Sequence, residues 1–124
     1  MQSPIKNQLN ITFVPVSNMK ESVKWYSHLL GQNYDERKVN KPVFNMNVNG
    51  YTNLLLDAGP KGHTQHVCPS PHPLFSFFTE DIAASYEYVQ KLGYTIHSPI
   101  QEFDDIAFFV IKDLDGNLVM ICAD

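Results

Sequence analysis

Phe13-Val14-Pro15-Val16-Ser17-Asn18-Met19-Lys20-Glu21-Ser22 is answered 63 residues later by Ser76-Phe77-Phe78-Thr79-Glu80-Asp81-Ile82-Ala83-Ala84-Ser85. At the same offset Trp25 falls on Tyr88 and Leu29 on Leu92. Identities are few, but each copy reads as the same series: a strand, a capped helix, then a run of strands. An internal repeat constrains architecture more firmly than residue propensities do.

In the first copy, 9–16 alternates loosely as a strand, and Asn18 with Glu21 three residues on supplies an N-cap and its reciprocal acid. Met19, Val23, Tyr26 and Leu30 then fall on one helical face, and Gly31 offers the left-handed residue that ends many helices. The second copy repeats this with a strand at 74–78, Asp81 as cap, Ile82, Tyr86 and Val89 on one face, and Gly93 as terminator. Strand signals follow at 43–48 and 51–57, joined by Asn49-Gly50, a pair suited to a two-residue hairpin. In the second copy they follow at 106–112 and 117–122, joined through Asp113-Leu114-Asp115-Gly116. The spacing predicts one α+β domain: module one at about 8–58, a Pro-, Gly- and His-rich linker at 59–73, and module two at about 74–124.

A chain of 124 residues, 44% hydrophobic, is enough for one such domain and its core. The net charge is −4 and the nine Lys and Arg form no run, which counts against nucleic acid or an anionic membrane as partner. No apolar stretch approaches the roughly 20 residues needed to cross a bilayer, and residues 1–8 lack the apolar segment of a signal peptide, so a cytoplasmic address is expected. Two cysteines, Cys68 and Cys122, are too few for a disulfide framework and are expected as free thiols.

Two βαβββ units in about 120 residues resemble the vicinal-oxygen-chelate superfamily of glyoxalases, bleomycin-resistance proteins and ring-cleaving dioxygenases. Val16-Ser17-Asn18 through Trp25-Tyr26, with Leu29-Leu30-Gly31, is similar to the family's opening pattern, with Asn for Asp and Trp for Phe. Asp113-Leu114-Asp115-Gly116-Asn117 is similar to its closing turn, with Leu for Pro. The resemblance implies a U-shaped mixed sheet around a cleft, helices on the outer face, and a homodimer. It also implies where a divalent ion would be held. Counted from the motifs, those positions are Ile11, Leu56, Leu74 and Met120, all without the oxygen, nitrogen or thiolate donors such ions require. No metal and no cofactor are therefore expected.

Strand parity, with a two-residue hairpin in module one, turns Ile11, Phe13, Asn45, Asn47, Leu54, Leu56, Leu74, Ser76, Phe108, Val110, Met120 and Cys122 into the cleft, with His72 at its rim. Phe44, Met46, Val48 and Leu55 would then pack on a helix. The expected activity is binding of a small apolar or aromatic molecule, as in antibiotic-sequestering members. The alternatives are a metal-independent isomerase or lyase drawing on His72, Cys122, Asn45 or Asn47, and, disfavoured by the apolar positions, a metal-dependent glyoxalase or dioxygenase. His63, His66, Cys68 and His72 match no common zinc spacing and read as linker residues. His28 and His97 read as solvated, and Trp25, Tyr26, Tyr86 and Tyr88 as core or dimer contacts.

Overall fold

The computed structural model describes residues 1–60 and 65–124. Module one runs β1 (Ile11–Pro15), α1 (Met19–Leu30), a 3-10 turn (Glu36–Lys38), β2 (Val43–Met46) and β3 (Asn53–Asp57). Module two runs β4 (Ser76–Phe78), α2 (Ile82–Lys91), β5 (Thr95–Phe103), β6 (Ile106–Lys112) and β7 (Leu118–Ala123). The described residues thus form an α+β fold of two helices and seven strands in two mixed sheets, ordered β1-β3-β2 and β4-β7-β6-β5. Module two is a full βαβββ unit. In module one, the position that β5 takes in module two has no strand, and the chain there makes the 3-10 turn instead.

The helices start and stop where side-chain chemistry says they should. Asn18 and Asp81 cap α1 and α2, accepting from the amides of Glu21 and Ala84. Gly31 (φ 64°) and Gly93 (φ 77°) follow the two helices in the left-handed region. One core joins both modules. Val14, Val16, Val23, Tyr26, Leu54, Leu56 and Met46 of module one share it with Val89, Phe109, Ile111, Val119 and Ile121 of module two. Burial of each such side chain contributes about 1.5–3 kcal/mol before entropy is set against it.

The two sheets meet along a seam between β1 and β4, with no backbone hydrogen bond across it among the described residues. Polar groups close the modules instead. The turn after β6 reaches back into module one: Asp113 accepts from the buried Tyr26 hydroxyl at 2.7 Å, and Asp115 accepts from Ser17 Oγ at 2.5 Å and Ser17 N at 3.1 Å. Asn117 Nδ2 donates to the Pro15 carbonyl at 2.8 Å. On the outer side Trp25 stacks on Tyr94 at 4.5 Å, and the hydroxyls of Tyr94 and Tyr88 donate to the carbonyls of Trp25 and His28. Burial is the main reason that the Tyr26 hydroxyl is raised well above its ordinary value and the Tyr94 hydroxyl is pushed up to about 12.

The hairpin of module one differs from the expected one. Asn45 stands opposite Leu55 and Met46 opposite Leu54, so the connection is one residue longer than a two-residue turn requires. Asn49 explains it: its Oδ1 accepts from the amides of both Tyr51 (2.8 Å) and Thr52 (2.7 Å), a side-chain-closed turn in which Gly50 does not take positive φ. A one-residue slip moves every side chain of β3 to the other face. Leu54 and Leu56, expected in the cleft, lie in the core under α1, and Leu55 takes the opposite face.

Candidate functional site

The faces turned away from both helices form a common inner surface. Pairing registers place Ile11, Phe13, Val43, Asn45, Asn53, Leu55 and Asp57 there from module one. From module two come Ser76, Phe78, Phe108, Val110, Met120 and Cys122, with Phe103 stacked on Phe108 at 5.9 Å. Of the residues expected in the cleft, the register thus brings Ile11, Phe13, Asn45, Ser76, Phe108, Val110, Met120 and Cys122 to this surface. Leu54 and Leu56 are withdrawn from it. Asn47 sits in the connection after β2, where its carbonyl accepts from Gln32 Nε2 at 2.5 Å. Leu74 and His72 precede β4 as exposed coil and line a hollow of about 190 Å³ at one end of the seam, together with Phe13 and Cys68.

The surface is apolar and open. Phe13, Phe78 and Phe103 are 56%, 66% and 61% exposed, and Ile11 and Val43 are exposed beside them. Polar groups on it are sparse: Asn45 donates to Asn53 Oδ1 at 3.1 Å, Asn53 Nδ2 donates to the Asn10 carbonyl, and Asp57 Oδ1 accepts from the Gly59 amide.

The registers also correct the module-one position equivalent to Met120. Ser76 pairs with Met120 as Phe13 pairs with Leu55, so the counterpart is Leu55 rather than Leu56. It too is apolar. Among the described residues no group of three or more His, Cys, Asp or Glu could hold a metal ion. Cys68 and Cys122 are free thiols. His66, Cys68 and His72 are exposed, and His63 lies outside the described residues. No two of Asn45, Asn47, His72 and Cys122 are hydrogen-bonded to each other. His28 is exposed on α1, and His97 is exposed within β5 rather than beside a loop.

A second, larger hollow of about 590 Å³ opens at the other end of the seam, between β4, the C-terminus of α1 and the β2–β3 connection. Only Leu54 and Ser76 of its lining were among the expected site residues. Parity reasoning misses such a hollow because it arises where two sheets fail to join, not from the face of either one.

The sequence profile described as the Glyoxalase/Bleomycin resistance protein/Dioxygenase superfamily matches residues 8–121, and the chain belongs to that family. No curated sequence is similar enough to count as a match. Among solved structures, the fold is similar to a glyoxalase/bleomycin resistance protein from Albidiferax ferrireducens T118 (TM-score 0.73, 18% identity, covering 94% of this chain and 98% of that one). It is also similar to an integron cassette protein from the mobile metagenome of Halifax Harbour Sewage Outfall (TM-score 0.69, 21% identity, 96% and 100% covered). A lactoylglutathione lyase from Agrobacterium tumefaciens shares the fold at TM-score 0.67 and 14% identity, with 98% and 96% covered. No helix among the described residues is long and apolar enough to cross a membrane.

Proposed function

We propose that this protein binds a small uncharged aromatic or apolar molecule on its inner surface, without a metal ion. The observation that carries the reading is the composition of that surface: phenylalanines and aliphatics stand exposed on one face, and exposed apolar patches of this kind mark binding sites. The family's metal-holding positions fall on Ile11, Leu55, Leu74 and Met120, whose side chains do not fit a divalent ion. Among the described residues this surface carries no hydrogen-bonded nucleophile–base pair, which favours binding over isomerase or lyase chemistry.

The test is methyl-detected NMR with 1-naphthol and indole. Saturable shifts are expected at Ile11, Val110 and Met120. Met120→Glu should abolish them while costing less than about 2 kcal/mol of stability, because the carboxylate can stay hydrated on an open surface. An unfolded Met120→Glu protein would show packing where we read a site. One side-chain-bound transition-metal ion per chain, in protein purified without chelator or tag, would overturn the metal-free reading. We further propose a homodimer, since β2 and β5 are edge strands of their sheets; a monomer by light scattering at high micromolar concentration would refute it.

A further inference from the structure

The 590 Å³ hollow at the seam borders the inner surface, sharing Asn53, Ser76 and Phe78 with it, but its remaining lining is different and includes none of Ile11, Phe13, Val110 or Met120. Its lining divides evenly between apolar side chains and uncharged polar ones, and among the described residues includes no Asp, Glu, Lys, Arg or His. A charged ligand entering it would lose hydration and meet no counter-charge. One wall is aromatic: Phe75 and Phe77 pack edge to face at 5.4 Å, with Phe78 beside them.

Two amides on the opposite side have half their hydrogen-bonding capacity committed, which fixes what the other half presents. Gln32 gives its Nε2 to the Asn47 carbonyl, leaving Oε1 as an acceptor. Asn49, two residues further along the same connection, gives its Oδ1 to the Tyr51 and Thr52 amides, leaving Nδ2 as a donor. By contrast, Asn53 has both ends of its amide engaged. The hydroxyls of Thr12 and Ser76 add two adaptable groups with no partner among the described residues.

We propose that this hollow is a second binding site, for a neutral planar heterocycle carrying a lactam, that is, a ring C=O and N–H side by side. The ring lies against Phe75 and Phe77, the lactam N–H donates to Gln32 Oε1, and its carbonyl accepts from Asn49 Nδ2. The volume suits a ligand of one to three rings. This reading does not depend on occupancy of the inner surface.

The experiment is a titration of 15N-labelled full chain with 2-quinolone, quinoline and quinoline-2-carboxylate, read at the side-chain amides of Gln32 and Asn49. 2-Quinolone should give saturable shifts at both. Quinoline, which lacks the lactam, should bind about tenfold more weakly, and the carboxylate should not bind. Asn49→Asp keeps the oxygen that closes the turn and removes the donor, so it should weaken 2-quinolone about tenfold with the Tyr51 and Thr52 backbone signals unmoved. Should that variant fold poorly, Gln32→Met removes the acceptor for the lactam N–H and should weaken 2-quinolone about tenfold. Equal affinity for quinoline and 2-quinolone, shifts confined to Val110 and Met120, or no saturable binding at millimolar concentration would each overturn the proposal. Shifts confined to Ile11, Val110 and Met120 would leave binding on the inner surface standing.

Discussion

Module two closes its last hairpin with Asp113-Leu114-Asp115-Gly116-Asn117, and module one closes the equivalent hairpin with Val48-Asn49-Gly50-Tyr51-Thr52. Pairing runs up to the loop in module two, with Lys112 opposite Leu118, but ends at Met46 opposite Leu54 in module one, and the loops differ in what holds them. In module two, Asp113 Oδ1 accepts from the amides of Asp115 and Asn117, its other oxygen takes the Tyr26 hydroxyl and Asn117 Nδ2, and Gly116 sits at φ 85°. In module one a single side chain, Asn49, closes the turn, and nothing from it reaches the other module through a hydrogen bond among the described residues. The later loop therefore fixes a register and locks two modules together, whereas the earlier fixes a register only. The family's closing motif is, in this chain, an inter-module clamp.

The register of module one can be broken by one charge. Leu54 is 3% exposed in the core, whereas Leu55 faces the open inner surface. Leu54→Glu should cost about 4 kcal/mol or more, through a buried and unpartnered carboxylate, and Leu55→Glu less than about 1 kcal/mol. Urea denaturation of both settles it, and the reverse order would restore the two-residue hairpin.

The clamp comes next in size. Asp113→Ala strips the acceptor from four donors and leaves the Tyr26 hydroxyl buried and unpaired, for a loss of about 3 kcal/mol. An Asp113→Ala chain as stable as wild type in urea would show that the modules are held by the apolar core alone.

A smaller effect follows from the same carboxyl. Burial, the largest influence, raises Asp113 above the usual carboxylate value, and the hydrogen bonds from Asn117, Tyr26 and the backbone only partly pull it back. The folded chain then holds this proton more tightly than the unfolded chain does. Stability contributed by Asp113 therefore rises as pH falls through its folded pKa towards 3.8, and is lost as pH rises again. The stability gap between wild type and Asp113→Asn should widen on acidification from neutral pH to about pH 4. A gap that narrows means that the hydrogen bonds outweigh burial.

Much of this is legible in the sequence. Caps, helix faces and terminating glycines act within a few residues, so Asn18, Asp81, Gly31 and Gly93 announced both helices. The inward set of module two followed from the closing motif, which fixed Met120, although the loop is five residues, Asp113–Asn117, rather than the four expected. Three things were not legible. The strand β5 carries Pro99 and register shifts between Ile96 and Gln101, which hide its alternation. The register of β3 hung on whether Asn49-Gly50 is a two-residue turn, and the local signal points the wrong way. The structure gives the second hairpin a five-residue turn, and the same turn in the first sets Asn45 against Leu55. The hollow at the seam was not readable at all, since it depends on how far apart two strand edges come to rest.

The two turns can finally be compared through their glycines. Gly116 needs its lack of a Cβ for conformation rather than space: φ is 85°, and an added Cβ would meet only Pro69 Cγ, at an ordinary 3.4 Å. Gly116→Ala should therefore cost about 1–2 kcal/mol, the penalty of an L-residue held in the left-handed region. Gly50 is not at positive φ, and a Cβ there would meet nothing within 4 Å. Gly50→Ala should be neutral or stabilise by up to about 1 kcal/mol, because alanine restricts the unfolded chain more than glycine does. Thermal denaturation of the pair reads this directly. A Gly50→Ala loss as large as that at Gly116 would mean that Asn49-Gly50 does form the left-handed hairpin turn, and with it the other register of β3.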